Sequence, residues 1–254
     1  MGERLAYAAC RTLGRLLRSV RYSKARLVSE GGELRVRKRR ALHAPLLIWL
    51  SGPLISVLDA GVRFLPQREW EEREQLLYRS LHATSIRVDP GGVLDLPCLP
   101  GQTLAALLED KAIAVPARRR AIELAAVALA ELHRLGFTHA DAMAENVLID
   151  LEAGVARWFD FETVHEAGRP MDWRRADDLR ALLATCALRT SSEEVEETLK
   201  HLLDAYGDDE VVRLLEASFT SAWRRSLVYH HSQAALSWDR FREIGRLLRS
   251  PRGR

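Results

Sequence analysis

A chain of 254 residues is long enough for one large domain or for two small lobes, each with its own core. Its net charge of +3 and pI near 8.9 are too close to balance to argue for a nucleic-acid partner, and none is expected. The three cysteines, Cys10, Cys98 and Cys186, are widely spaced and odd in number. They exclude a disulfide framework and a cysteine zinc site, and they suit a reducing, cytoplasmic setting.

Residues 1–20 do not read as a signal peptide, because Arg4, Arg11, Arg15 and Arg18 interrupt the apolar positions. Leu5, Cys10, Leu13, Leu16 and Leu17 fit a basic amphipathic helix, which either docks on its own domain or lies on an anionic membrane surface. Residues 25–29 and 33–38 flank Gly31-Gly32 and read as a β-hairpin, with Leu34, Val36 and Lys38 on one face. The apolar window 44–57 is broken by Gly52-Pro53 and is too short to span a bilayer, so no transmembrane helix is expected.

Residues 68–81 read as a helix whose buried stripe is Trp70, Glu74, Leu77 and Leu81. A carboxylate within that stripe needs a partner. Short strands follow at 85–88 and 93–96. A Pro/Gly-punctuated stretch comes next, and Thr103 can cap a helix running to residue 110. Residues 121–135 form a long apolar helix closed by Gly136. Strands at 147–149 and 156–159 come next, then helices near 174–188, 192–205, 208–226 and 232–249. The fold class is therefore α+β, with a small β-rich N-terminal lobe over 1–100 and a helical C-terminal lobe over 101–254.

The chemistry concentrates in residues 132–163. His139, Asp141 and Asn146 follow the spacing H-x-D-x-x-x-x-N, and Asp160-Phe161-Glu162 ends an apolar strand fourteen residues after Asn146. Phosphoryl transfer requires an aligned hydroxyl and cations on the phosphates, and little covalent help. Asp141 can accept the proton of a hydroxyl. Asn146 and Asp160 offer the hard oxygen ligands that Mg²⁺ prefers.

This segment resembles the protein-kinase-like superfamily. It is most similar to the bacterial lipopolysaccharide kinases that phosphorylate Kdo or heptose, with the RIO/Bud32-like kinases nearby. The resemblance implies ATP and Mg²⁺ as cofactors, Asp141 as catalytic base, and Asn146 and Asp160 as metal ligands. It also implies a phosphate-holding lysine and a glutamate to hold that lysine. Lys38 and Glu74 suit those roles, with Glu71 and Glu72 as alternatives for the second. Residues 96–104, LPCLPGQTL, are similar to the hinge that holds adenine, which singles out Leu96 and Cys98. Arg175-Ala-Asp-Asp178-Leu179 resembles the Asp-Leu that braces a catalytic loop, and His139 is expected to be structural.

The pattern also departs from that family. No glycine-rich G-x-G-x-x-G precedes Lys38, Glu162 replaces the glycine of Asp-Phe-Gly, and Met143 replaces a lysine common in serine/threonine kinases. These departures point away from a protein substrate and toward a sugar. The expected function is ATP-dependent phosphotransfer to a lipopolysaccharide-type sugar, with a sugar or glycolipid acceptor and peripheral contact at the inner membrane face. The alternatives are a small-molecule or Ser/Thr protein kinase of the same fold, and a pseudokinase acting as a binding module. Arg118–Arg120, Arg174, Arg175, Arg224 and Arg225 are either anion contacts or solvated helix surface.

Overall fold

A computed structural model describes residues 23–41, 44, 61–219 and 236–249. The expected N-terminal helix, nearly all of the 44–57 window, Arg224, Arg225 and residues 250–254 lie outside the described residues.

The first two strands, β1 (Ser23–Glu30) and β2 (Glu33–Arg40), form the hairpin read from the sequence. Gly31 and Gly32 both take positive φ, 60° and 85°, which two-residue hairpin turns require and which costs glycine least. Strand β3 (Val62–Phe64) leads through Pro66 into helix α1 (Gln67–His82), then come β4 (Arg87–Val88) and β5 (Leu94–Pro97). The N-terminal sheet has the order β1-β2-β5-β4, with Lys38 opposite Leu94. Lys38 is only 7% exposed on the face it shares with half-buried Val36, while Leu34, expected to share that burial, is 55% exposed near the hairpin tip.

Strand β6 (Gln102–Thr103) opens helix α2 (Leu104–Glu109), and the Thr103 hydroxyl accepts from the Ala106 amide at 3.2 Å as a helix cap. Helix α3 (Val115–Arg134) starts six residues earlier than its apolar pattern suggested, because Pro116 stands in its first turn, where a missing N–H costs nothing. Strands β7 (Val147–Asp150) and β8 (Val155–Trp158) pair with each other, and β7 pairs with β6. Strand β9 (Thr163–His165) precedes α4 (Met171–Arg189), α5 (Val195–Tyr206), α6 (Asp209–Ser218) and α7 (Trp238–Arg249). The helix read over 208–226 ends at Ser218 among the described residues. Its N-cap Asp208 accepts from the Glu210 and Val211 amides, both at 3.1 Å.

The C-terminal core is helix on helix. α3 packs on α5, α4 packs on α6, and α2 bridges α3 and α4. Leu104, Leu129, Leu132, Leu179 and Leu182 are wholly buried there. The architecture is thus the expected α+β one, a β-rich N-terminal lobe on a helical C-terminal lobe.

One pairing was not legible beforehand. β3 and β9 form an antiparallel ladder, Val62 opposite His165 and Phe64 opposite Thr163. Leu65 N–H donates to the Glu162 carbonyl at 3.0 Å, and Glu166 N–H to the Gly61 carbonyl at 2.8 Å. The strand that enters α1 is therefore zipped to the strand that leaves Asp160-Phe161-Glu162.

Gly101 sets the approach of the linker to β7. Its φ is +113°, and a Cβ there would stand 2.6 Å from the Ile149 carbonyl oxygen. Backbone cannot yield as a flexible side chain would. Gly101→Ala is expected to lower unfolding stability by about 1–3 kcal/mol, seen as a lower urea midpoint at unchanged slope. An unchanged midpoint would contradict this close approach.

Candidate active site

Helix α1 presents Glu74 on its buried stripe with Trp70 and Leu77, and Glu74 is 1% exposed. β2 carries Lys38 toward it. Lys38 Nζ donates to Glu74 Oε1 at 3.0 Å and stands 3.0 Å from Glu162 Oε1. It also makes a short contact with Asp160 Oδ1. Three carboxylates thus surround one ammonium, and together with it they hold the Lys38 proton well above its ordinary pKa despite burial. Glu74 Oε1 further accepts from Trp70 Nε1 at 3.1 Å and from the Phe161 amide at 3.3 Å. Glu71 and Glu72, the alternative glutamates, bond Gln67 and Arg68 on the outside of the helix.

The loop before β7 is fixed from below by Asp178 of α4, which is fully buried. Asp178 accepts from the His139 amide at 2.6 Å, the Ala140 amide at 2.7 Å and His133 Nε2 at 3.0 Å. Neighbouring His165 and His133 hold its carboxyl far below the usual range against the cost of burial. Ala140 takes φ +65°, a conformation that costs a non-glycine residue about 1–3 kcal/mol. The two charge-assisted bonds from its own and the preceding amide hold it there.

His139 is fully buried, stacks near Phe161 and Trp158, and donates Nε2–H to the Phe159 carbonyl at 3.0 Å. Burial lowers its pKa to about 4. It packs and braces the loop, as expected from the sequence.

Asp141 emerges from this braced loop. Asn146 Nδ2 donates to Asp141 Oδ2 and to the Asp141 carbonyl, each at 2.9 Å. The Asn146 amide nitrogen is thereby committed, which leaves its oxygen for a cation. Asp141 Oδ1 is buried without a hydrogen-bond partner. Burial and the nearby Asp160 carboxylate push the Asp141 carboxyl up to about 8. Asp160 sits at φ +69°, which aspartate tolerates better than most residues, and its side chain is about a third exposed.

The residue types fit Mg²⁺. Asp160 and the Asn146 oxygen are hard oxygens, and the orphaned Asp141 Oδ1 beside them adds to a surplus of negative charge. Among the described residues no set of three or more His, Cys, Asp or Glu forms a closed metal cage. Mg²⁺ keeps several waters and shares its shell with phosphate, so a sparse carboxylate set suits it.

Leu96 is buried in β5 opposite Val36, and Cys98 is exposed. The Cys98 amide donates to the Leu34 carbonyl at 3.3 Å and is already engaged within the sheet. The basic residues singled out on the helices are engaged as well. Arg118, Arg119, Arg120 and Arg175 pair with Glu194, Glu197, Glu123 and Asp172, and Arg174 donates to the carbonyls of Arg169 and Ala167.

Five contributors escaped the sequence reading. Glu162 was read only as a missing glycine, yet it reaches Lys38. Arg73 of α1 donates to the Thr138 carbonyl at 2.5 Å and ties that helix to the loop before β7. Thr138 Oγ1 and Asp177 hold fully buried His165, at 2.9 and 3.3 Å. The alternation Thr163-Val164-His165 was the available signal for a strand here, and it was too short to stand out.

The titrations set opposing pH limbs. His139 and His165 are each lowered to about 4, so the unfolded chain takes up their protons first as pH falls below about 6.5, and folding stability drops between 6.5 and 4. His82, lowered too by burial, acts in the same direction. Asp141 is raised to about 8, so the folded chain holds a proton that the unfolded chain has lost, and stability drops as pH rises toward 8. Without divalent cations, urea unfolding is expected to be hardest near pH 6–7. Mg²⁺ is expected to flatten the alkaline limb. A limb that Asp141→Asn leaves unchanged would contradict this assignment.

No curated protein matches the chain. Residues 100–206, from the linker through the loop, the Asp160 turn and α5, match a family model described as lipopolysaccharide kinase (Kdo/WaaP) family. The resemblance read from the sequence therefore holds over residues 100–206, which are similar to the lipopolysaccharide kinase (Kdo/WaaP) family, whose members are kinases.

Proposed function

We propose that this chain is an ATP-dependent phosphotransferase that moves the γ-phosphate to a hydroxyl of a lipopolysaccharide-type sugar at the cytoplasmic face of a membrane. The observation that carries the reading is the convergence of Lys38, Glu74, Asp141, Asn146 and Asp160 on one cleft from both halves of the chain. Residues 1–100 form the N-terminal lobe in this reading and residues 101–254 the C-terminal lobe. The family description favours a sugar acceptor.

In the proposed reaction Asp141, ionised once a bound cation offsets the Asp160 charge, takes the proton of the acceptor hydroxyl on Oδ1, its partnerless oxygen. The new bond joins that hydroxyl oxygen to the γ-phosphorus, the bond to the bridging oxygen breaks, and ADP departs. Lys38 holds the α- and β-phosphates while Glu74 fixes the lysine. Mg²⁺, when bound by Asn146 and Asp160, neutralises phosphate charge. Leu96 and Cys98 border the adenine, and because the Cys98 amide is engaged, its carbonyl and side chain are what it offers.

The test is Mg²⁺-dependent transfer from ATP to a Kdo- or heptose-containing acceptor. Asp141→Asn is expected to lower kcat by about 10²–10⁴ with KM for ATP little changed. Asp160→Ala is expected to abolish the Mg²⁺ dependence together with turnover. Wild-type protein that neither binds ATP with Mg²⁺ nor turns it over would overturn the reading in favour of a binding module. Full activity in Asp141→Asn would remove the base assignment alone.

A further inference from the structure

The outer face of the N-terminal sheet, opposite Lys38, carries an excess of cations. The strand register puts Lys24 opposite Arg39 and Arg26 opposite Arg37, and it continues the second row through Asp95 to Arg87. Arg35 lies on the same face. Six cations thus face three carboxylates, Asp95, Glu30 and Glu33. Arg35 pairs with Asp95 at 2.9 Å and Arg37 with Glu30 at 2.8 Å. Lys24, Arg26, Arg39 and Arg87 are exposed and form no ion pair among the described residues.

Like charges directly opposite one another destabilise a sheet. Charged residues on an edge strand guard against aggregation, and β1 is an edge. That role needs only the edge strands, whereas here Arg35, Arg37 and Arg39 stand on central β2. The face differs from the helical surface, where most of the singled-out arginines have carboxylate partners. A pocket of about 300 Å³ opens at the Lys24–Arg39 end, lined also by Arg40, Gln67, Gly91 and Gly92. Arg40 borders this pocket from the Lys38 side of β2, where it donates Nη2 to the Leu65 carbonyl at 2.7 Å and lies over Trp70.

We propose that this sheet face docks the protein on an anionic phospholipid bilayer, with a phosphate headgroup seated in the Lys24–Arg39 pocket. A flat face of arginines and lysines matches a plane of negative headgroups. Among the described residues it carries no aromatic side chain on which bases could stack, which disfavours single-stranded nucleic acid. Strand β2 carries Arg37 and Arg39 on this face and Lys38 on the other. Docking therefore holds the cleft one sheet thickness from the bilayer. The proposal deepens the reading of a membrane-borne acceptor and names the surface that meets the membrane.

The experiment is co-sedimentation of the full chain with vesicles of phosphatidylcholine alone or mixed with phosphatidylglycerol, over a salt series. Wild type is expected to bind only the anionic vesicles and to be released by salt. The triple change Lys24→Glu, Arg26→Glu, Arg39→Glu is expected to weaken partitioning at least about tenfold. Its thermal unfolding and its ATP turnover with a soluble acceptor are expected to stay at wild-type levels, which separates failure of docking from failure of phosphotransfer. Equal binding to neutral vesicles would overturn the proposal. So would wild-type partitioning of a folded triple variant, or tighter binding to a duplex oligonucleotide than to anionic vesicles.

Discussion

Lys38 is withdrawn from water between two parts of the chain, and the carboxylates that compensate it come from both. Burying an ammonium alone costs several kcal/mol, so the lysine is tolerable only while Glu74, Asp160 and Glu162 stay near it. Glu74 arrives on α1, and the other two arrive on the turn after β8. The β3–β9 ladder fixes the distance between these suppliers, because it joins the strand entering α1 to the strand leaving that turn. Arg73 adds a second tie from α1 to the loop. Three carboxylates on one cation leave net negative charge, and the partnerless Asp141 oxygen lies in the same cleft. Such a cleft is suited to taking up further positive charge.

The second constraint lies beneath the loop. Asp178 receives two successive backbone amides and one histidine, each a charge-assisted bond worth about 1.5–3 kcal/mol. That is enough to hold Ala140 at positive φ, where an alanine does not rest unaided. The strain and the bonds together determine where Asp141 points. Buried neutral His139 and His165 complete the support at the cost of sensitivity to acid.

Much of this could be read from residue types and spacing. The Gly31-Gly32 turn, the α1 stripe with its misplaced carboxylate and the Thr103 cap were all legible, because each obeys a local rule. The approach of Lys38 to Glu74 followed from two buried charges that each needed the other. What escaped reading was non-local. β3 and β9 are three residues each and lie about a hundred positions apart, so neither has enough periodicity to declare itself, and their pairing exists only in the assembled fold. Glu162 looked like a substitution in a motif because its partner is remote in sequence. The cationic sheet face was visible as a run of arginines and lysines, but the opposition of Lys24 to Arg39 depends on hairpin register. The hinge reading of Cys98 met an amide already bonded to Leu34, a contact that no spacing rule foretells.

We propose that the Lys38 cluster seats a nucleotide once a cation draws off the carboxylates that hold the lysine. The decisive measurement is calorimetric titration of ATP into the full chain, with Mg²⁺ and with chelator. Binding is expected with Mg²⁺, with at least a tenfold loss in chelator and a comparable loss in Lys38→Met. ATP that binds equally well without Mg²⁺, or equally well to Lys38→Met, would contradict it.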